Sequence, residues 1–460
     1  MSAAVTLVAQ RRHLATPAMA IGGTLLAATL GWAFALQPVI LLAPVLGLGL
    51  VLLLVSAPAR AAFIVFGGLA VLQISDDLTP IKIGYMVGAG VAIVAALVHL
   101  RGQTDAPPFR SLQAVVAFAT LLGAVVVVSA AVSATNGTPA TDWLRDAAPY
   151  LLFATTPIFA LDLESSTPRK LIVAMLVAAG LLAMLSFTVE WFDRRDLATL
   201  PLDRIALPSP FLRSALYLFA LSSAVLGVRR HAAWILTAAF LLSLTWLSGG
   251  RAESVLLLIV MPLFVVFAVR RGGGIILPAG RAALVIGAAA ILSVLLVLGL
   301  SRVSDFDTDR LTGRLGTISS GSVNPGTDQS FQERAEETRL AWRAFRSEPL
   351  LGTGPGHVYE WTTATGRPKA SFNIDTGLAF PAKFGIVGVV ALAALTAAFA
   401  SLLRRGGRAG GISVPQAALL GLGALTVLNL PLGMPLEDKG FSFGLILLLA
   451  LSLPKESAQP

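Results

Sequence analysis

The sequence predicts an all-α polytopic membrane protein, and three observations lead to this prediction. Apolar residues make up 56% of the 460-residue chain, charged residues only 13%, and mean hydropathy is +0.80. A soluble domain carries about 25% charged residues, so this chain cannot cover a water-facing surface of its own size. Apolar runs of membrane-spanning length recur, and in lipid they must be helical to pair their backbone groups. The composition argues against soluble enzymes, nucleic-acid-binding proteins and disordered proteins.

The apolar runs predict 12–14 transmembrane helices, because two of the fourteen candidates are short. The candidates are 18–36, 38–56, 61–75, 81–100, 112–133, 149–161, 170–190, 213–228, 232–248, 253–269, 282–300, 378–402, 414–432 and 441–453. The short ones are 61–75 and 149–161. Segment 18–36 follows two arginines, as a signal peptide would, but its length and the next span directly after it favour a first transmembrane helix.

The basic residues predict the orientation of the chain. Of the 34 Lys and Arg residues, 16 lie on one side of the predicted map and 8 lie in short segments on the other, with 10 in or just after the long segment 301–377. Cytoplasmic loops are enriched in Lys and Arg, and long loops do not count. We therefore expect both termini in the cytoplasm. The net charge of +9 follows from topology, and no nucleic-acid partner is expected.

The long polar segment divides the chain into three predicted parts. Residues 1–300 form an N-terminal bundle of about 11 helices, 301–377 an extracytoplasmic loop subdomain, and 378–460 about three C-terminal helices. The loop contains 10 of the 25 acidic residues. Ser330 and Glu333 have capping-box spacing, and Phe331, Ala335, Thr338, Trp342 and Phe345 recur at helical intervals. This pattern predicts an amphipathic helix that lies on the bilayer or on the bundle.

Basic residues at the predicted outer face are candidates for binding an anion. Arg204 precedes a Pro-Ser-Pro sequence, and Arg251 lies in a turn with almost no loop between two spans. Arginine suits a diphosphate because its planar fork donates two hydrogen bonds and stays charged. The alternative for each is snorkelling to lipid headgroups. A third group, Asp142, Arg145 and Asp146, is interpreted as an interfacial ion-pair cluster. The chain has no Cys, and no metal or cofactor is predicted.

Several of these segments occur in an order found in a known family. They are Arg204 with Pro208-Ser209-Pro210, Ser-Gly-Gly-Arg-Ala at 248–252, Glu333-Arg334 with Trp342 and the glycine run Glu348-Pro-Leu-Leu-Gly-Thr-Gly-Pro-Gly356, and Asn373 followed by Phe384-Gly-Ile-Val-Gly388. In order and spacing they resemble the O-antigen ligase/polymerase superfamily over residues 190–400. The run that ends at Gly356, with its upstream arginine, is the most specific of the four.

The resemblance implies a metal-independent, inverting glycosyltransferase of cell-surface polysaccharide biosynthesis. Such an enzyme moves a saccharide from undecaprenyl diphosphate to an acceptor hydroxyl at the outer face of the bacterial inner membrane. It implies that Arg204, Arg251 and Arg334 bind the diphosphate and that Asn373 lies on the acceptor side. Implied partners are the lipid-linked donor, a glycan or lipid acceptor, membrane lipids, and flippase or export proteins. Ligation to lipopolysaccharide core and polymerisation, as for an exopolysaccharide, both stay open, with a slight preference for polymerisation.

One departure from the family pattern concerns the proton acceptor. Phe372 stands where the family has a His before Asn373, so His357 and Asp375 become the candidate catalytic residues, with Glu360 as a further base. The alternative functions are a secondary transporter and a non-catalytic polysaccharide-export partner. Transporters carry ionisable residues near the midplane in repeated halves, whereas spans 38–56 and 112–133 contain none. The pattern therefore favours the transferase.

Overall fold

The structure, a computed structural model, is a bundle of α-helices with one small β-hairpin. It describes residues 38–72, 79–101, 107–193, 209–228, 230–247, 256–269, 276–303, 329–363, 366, 368–406, 412–430 and 433–453. The helices are α1 (Pro38–Val55), α2 (Ala57–Leu72), α3 (Pro80–Arg101), α4 (Pro107–Thr135), α5 (Ala140–Ser166), α6 (Arg169–Asp193), α7 (Pro210–Val225), α8 (His231–Leu247), α9 (Met261–Val269, after a π-helical turn Leu256–Val260), α10 (Ile276–Val303), α11 (Gln329–Ser347), α12 (Ala379–Gly406), α13 (Val414–Asn429) and α14 (Lys439–Ser452).

The outer helices of the bundle confirm the predicted class, an all-α membrane protein. Among the described residues, four helices (α3, α4, α10 and α12) contain windows long and apolar enough to cross a membrane, and at most 28% of each window is buried. Valines, leucines and isoleucines cover the outer surfaces of these helices. An exposed apolar surface of this kind is unfavourable in water but suits contact with lipid tails. The pair α1–α2, bent by 116°, would be a fifth span.

The predicted count of 12–14 spans is larger than this number. Five shorter apolar helices or helical stretches lie in α7, α8, α9, α13 and α14, and the first predicted span, 18–36, lies outside the described residues. The predicted short span 149–161 is part of α5, which has 27 residues and begins at Ala140. The count and the three-part division of the chain stay predictions.

Two short helices, α7 and α14, form the centre of the bundle. Every residue from Leu212 to Val225 in α7 and from Gly440 to Leu451 in α14 is buried. They pack against each other, and both also contact α13, while α14 contacts α5. At 16 and 14 residues, they are roughly 24 and 21 Å long, shorter than the hydrocarbon layer of about 30 Å. Surrounding helices shield them, so they need not match the bilayer.

The predicted amphipathic helix is present as α11. It packs on α12 through a face that includes Glu337 and Ala341, both buried, whereas Trp342 is 41% exposed. Of the predicted stripe, Ala335 and Trp342 are therefore exposed, whereas Thr338 donates a hydrogen bond to Thr376 at 3.0 Å. A β-hairpin follows, with strands Tyr359–Thr362 and Pro368–Ser371 antiparallel and Tyr359 opposite Ser371. The hairpin has no counterpart among the elements predicted from the sequence.

The glycine run, residues 348–356, packs against a break in α12. Gly385 adopts φ 59° and ψ −162° inside this helix, and a Cβ there would lie 2.3 Å from the Leu350 carbonyl. Because the helix is interrupted, Ile386 N–H donates to the Pro349 carbonyl at 2.9 Å. In return, the N–H groups of Thr353 and Gly354 donate to carbonyls in the first turn of α12. The run is thus held against this turn by backbone hydrogen bonds.

Candidate functional site

A buried cluster of charges lies beneath the glycine run. Lys383, in the first turns of α12, has a fully buried side chain, and its Nζ donates to Asp146 Oδ1 and to Glu437 Oε1, both at 2.7 Å. Asp146 belongs to α5 and Glu437 to a 3-10 turn, Pro435–Glu437, just before α14. Charge-assisted hydrogen bonds of this length compensate for the desolvation of the ammonium group. Three distant segments therefore meet at one lysine.

The glycine run supplies the remaining partner of Asp146. The N–H of Gly356 donates to Asp146 Oδ2 at 2.7 Å. Gly356 has φ +81°, and a Cβ there would lie 2.7 Å from the backbone of Asp142 and Trp143. Only glycine combines this left-handed conformation with such close contact to α5. The motif on which the resemblance depends thus positions the buried carboxylate.

Tyr150 completes the cluster on the α5 side. Its hydroxyl donates to Glu437 Oε1 at 2.7 Å, and its ring packs against Phe380 and Phe384, with centroids 5.6 and 4.9 Å away. One carboxylate oxygen of Glu437 therefore accepts two hydrogen bonds. Its position is fixed by α5 and α12 together.

A cleft opens beside this cluster. Its empty volume, including the part open to solvent, is roughly 590 Å³. The residues that line it come from α2, α3, α5, α14, the segment after the strand Pro368–Ser371 and the turn before α14. These residues are Leu72, Lys82, Met86, Arg145, Asp146, Ala148, Pro149, Phe372, Asn373, Glu437 and Lys439. Three of them are cations and two are carboxylates. The cleft is therefore a charged site at one end of the bundle.

Arg145 is the cation whose surroundings best fit an incoming anion. Its guanidinium carbon lies 4.9 Å from the centre of the Phe372 ring, and its Nη1 is 3.7 Å from Asp142 Oδ1. Its Nε is buried and has no hydrogen-bond partner within the described ranges. A buried N–H without a partner is costly. Nε is closed to solvent, so only the rest of this side chain, which is 24% exposed, is accessible to a molecule in the cleft.

The ion-pair cluster predicted for Asp142, Arg145 and Asp146 is thus only partly present. Asp142 and Arg145 pair, but on the first turns of α5. Asp146 pairs with Lys383 instead.

The other predicted site residues are spread around this cleft. Asn373 lines it, next to Phe372. His357 follows Gly356, and its half-buried ring packs edge-on against Tyr359, with centroids 4.9 Å apart; burial lowers the pKa of His357. Asp375 is exposed, and its N–H donates to Glu337 Oε2 at 2.8 Å. His357 and Asp375 are not among the residues that line the cleft.

The three arginines predicted to bind diphosphate are not seen together. Arg334 lies partly exposed on α11 and is not in the cleft lining. Arg204 and Arg251 lie outside the described residues. Their convergence on one site stays a prediction.

A second buried charge cluster lies at the opposite end of α5. Asp162 accepts two hydrogen bonds from Arg60, at 2.7 and 2.6 Å, and lies 2.8 Å from Nδ1 of the partly exposed His99. Arg60 also donates to the carbonyls of Leu53 and Leu54, at the end of α1. Sixteen residues separate Asp146 from Asp162 along α5, about 24 Å at 1.5 Å per residue. This cluster fixes the bend between α1 and α2 and is remote from the cleft.

Sequence reasoning missed the central residues of the site, Lys383, Glu437 and Tyr150. A signal was available for the first: Lys383 lies inside the predicted span 378–402, and a charge within a span is rare and usually paired. Asp162 gave no such signal, because it lies one residue beyond the predicted span 149–161. Nothing local indicates which carboxylates pair with Lys383.

Fold and cleft together define the class of this protein. It is a helical membrane protein with a charged cleft at one end of its bundle. The chain matches no protein-family model and no curated protein.

Proposed function

We propose that this protein is a glycan transferase of the O-antigen ligase/polymerase type. It takes a saccharide from undecaprenyl diphosphate and transfers it to an acceptor hydroxyl, in the cleft between α3, α5 and α14. The cleft would face the outer surface of a bacterial inner membrane, with both termini in the cytoplasm and residues 301–377 as the extracytoplasmic loop. Metal ions and cofactors take no part, and a flippase would deliver the donor.

The observation that carries this proposal is the set of three cations in one cleft. Lys82, Arg145 and Lys439 come from three different helices and line the same space. Several positive donors around a small cavity suit a diphosphate, whose charge a single cation would not balance. The predicted topology places all three at the outer face, together with the glycine run. Donor lipid would reach them sideways, from the bilayer.

The chemistry expected of these cations is stabilisation of the leaving group. When the bond between the anomeric carbon and the diphosphate oxygen breaks, negative charge grows on the diphosphate. Cations fixed on helices stabilise this charge without having to reorganise. Arg145 is held between Asp142 and the Phe372 ring, so it is the best positioned of the three.

Arg204, Arg251 and Arg334 are proposed as further diphosphate ligands from the resemblance. The sequence predicts that Arg251 lies in a turn between two spans, which would fix its position from both sides. We expect Arg251→Lys, which loses the planar fork, to reduce surface glycan strongly at normal protein abundance. Arg343→Lys should be nearly neutral, since Arg343 is 62% exposed and screened by solvent.

Binding of undecaprenyl diphosphate to the purified protein tests the proposal. We expect the protein to bind undecaprenyl diphosphate more tightly than undecaprenyl monophosphate. Arg145→Gln should weaken diphosphate binding about 10-fold or more, because a hydrogen bond to a charged group contributes about 1.5–3 kcal/mol. Arg339→Gln, at an exposed position on α11, is the matched control.

Cells provide the second measurement. Deletion of the gene should cause lipid-linked saccharide to accumulate and surface glycan to disappear, and the wild-type gene should restore both. Unchanged surface glycan after deletion, or equal affinity for monophosphate and diphosphate, would contradict the proposal.

A secondary transporter is the second candidate, and one observation favours it. Lys383, Asp146 and Glu437 form a buried charged cluster inside the helical bundle, and such clusters often belong to ion pathways. A transferase and a transporter can be distinguished by whether their activity requires a sealed membrane. A transferase forms product in detergent solution from extracted donor, whereas a transporter forms none and acts only across a sealed membrane.

A further inference from the structure

We propose that Glu437 is the proton acceptor for the attacking hydroxyl in this cleft. The inference rests on the proposed transferase function and deepens it. It replaces His357, Asp375 and Glu360, the bases expected from the sequence, with a residue that no motif indicated. Glu437 lines the cleft together with Phe372 and Asn373.

The two carboxylate oxygens of Glu437 have different surroundings. Oε1 accepts hydrogen bonds from Lys383 Nζ and from the Tyr150 hydroxyl, each at 2.7 Å. Within the described part of the chain, Oε2 has no hydrogen-bond partner, and it is not among the buried unpaired atoms. The side chain is 19% exposed. One oxygen thus fixes the group, and the other remains available to a molecule in the cleft.

The expected bases lack this combination of position and access. The His357 ring packs against Tyr359. Asp375 and Glu360 are exposed. None of the three lines the cleft, whereas a general base must come within hydrogen-bond reach of the proton that it takes.

The charges around Glu437 suit a group that takes up a proton. Charged and titratable groups surround it. Lys82, Arg145 and Lys439 line the same cleft, and Asp146, Tyr150, Lys383 and, from the hairpin, Tyr359 interact with it. Burial raises the pKa of Glu437, and although Lys383 lowers it, the nearby Asp146 raises it further. A carboxylate with a raised pKa holds an abstracted proton better than an ordinary one.

The proposed step balances as follows. The acceptor oxygen forms a bond to the anomeric carbon with its own electron pair, and the bond from that carbon to the diphosphate oxygen breaks. The hydroxyl proton moves to Glu437 Oε2, and undecaprenyl diphosphate leaves with the electron pair of the broken bond. The protonated Glu437 then releases its proton to water in the cleft. No oxidant, metal or further reactant is needed.

Transfer measured in detergent solution tests the assignment. The donor is lipid-linked saccharide extracted from cells that lack the gene, and product is quantified with purified full-length protein. Glu437→Gln keeps the size and polarity of the side chain but cannot accept the proton, so we expect a loss of about 100-fold or more in rate. Binding of undecaprenyl diphosphate should stay within about threefold of wild type. Glu336→Gln, on α11 where Glu336 pairs with the exposed Arg339 and Arg343, is the matched control and should keep full activity.

The pH profile separates chemistry from structure. The wild-type rate should fall as the pH drops through the raised pKa of Glu437. Glu437→Asp, which keeps a carboxylate, should retain this acid limb at a reduced rate, and Glu437→Gln should lose it. Wild-type transfer by Glu437→Gln, or an acid limb that persists in it, overturns the assignment. Absence of both donor binding and transfer in the wild-type protein overturns the proposed function itself.

Discussion

Lys383 is the residue whose charge the fold depends on most. Its ammonium is the shared partner of Asp146 and Glu437 and is fully buried. Replacing a buried ion cluster entirely by apolar residues can be neutral, but removing one member leaves the others uncompensated. We therefore expect the loss of Lys383 alone to lower the free energy of unfolding by much more than the whole cluster contributes to it.

We expect Lys383→Met to destabilise the protein by about 3–5 kcal/mol, since two carboxylates then lie close together without a cation. Thermal unfolding of the purified protein in detergent measures this. Arg343→Met is the control, because Arg343 is 62% exposed and 3.6 Å from Glu336. An exposed pair contributes about 1 kcal/mol or less. Equal melting temperatures for the two variants would show that the buried cluster is not needed for stability.

The lowered pKa of His357 leads to a prediction of how the stability of the protein depends on pH. Burial lowers the pKa of His357, so the unfolded chain binds its proton more readily than the folded protein does. The stabilisation is present above the ordinary pKa of about 6.5 and is lost as the pH falls through the lowered folded pKa. His357→Phe keeps the ring contact with Tyr359. When the pH is lowered from about 7 to about 5, we expect the melting temperature of this variant to decrease less than that of the wild type.

The control for this experiment is His231→Phe, since His231 is exposed at the start of α8. Its pH dependence should match that of the wild type. If the melting temperatures of His357→Phe and of the wild type decrease equally as the pH falls, another group causes the loss of stability at acid pH.

At the scale of elements, the glycine run and the break in α12 act as one unit. The run donates to the carbonyls of Ala382 and Lys383, and the segment after Gly385 donates to Pro349 and Leu350. On its other face, Ser133 Oγ donates to the Pro355 carbonyl, 2.9 Å away. The run therefore joins the end of α4 and the start of α5 to the start of α12, and it brings Asp146 to Lys383.

Gly356→Ala tests this unit. A Cβ at Gly356 would lie 2.7 Å from the backbone of α5, in addition to the strain of φ +81°. Gly366 has φ +79°, but a Cβ there meets nothing within 4 Å, so Gly366→Ala costs only the left-handed strain of about 1–2 kcal/mol. We expect Gly356→Ala to lower the melting temperature clearly more than Gly366→Ala. Similar values would mean that the run can move away from α5.

At the scale of the whole molecule, the two charge clusters mark the two ends of the bundle. One includes Asp146 and the cleft, and the other includes Asp162, Arg60 and His99. Between them lie the buried apolar helices α7 and α14. The predicted topology assigns the first end to the outside and the second to the cytoplasm.

Cysteine labelling decides this orientation, because the chain has no native Cys. We expect Ser322→Cys, in segment 301–377, to react with a membrane-impermeant maleimide in intact cells. Lys170→Cys, at an exposed position near the start of α6, should react only after the inner face is opened. The reverse labelling pattern would mean that the membrane topology is inverted and that the cleft faces the cytoplasm.

Patterns in the sequence were enough to predict the class of the protein and the position of α11. Composition is a property of the whole chain, and helix caps and periodicity are local, so both can be read without the fold. Boundaries were less certain: α5 begins at Ala140 because polar residues continue its helix beyond the apolar run. The pairing of Lys383 with Asp146 was decided only by the tertiary structure. These residues lie 237 positions apart, and no local pattern encodes which carboxylate a buried lysine meets.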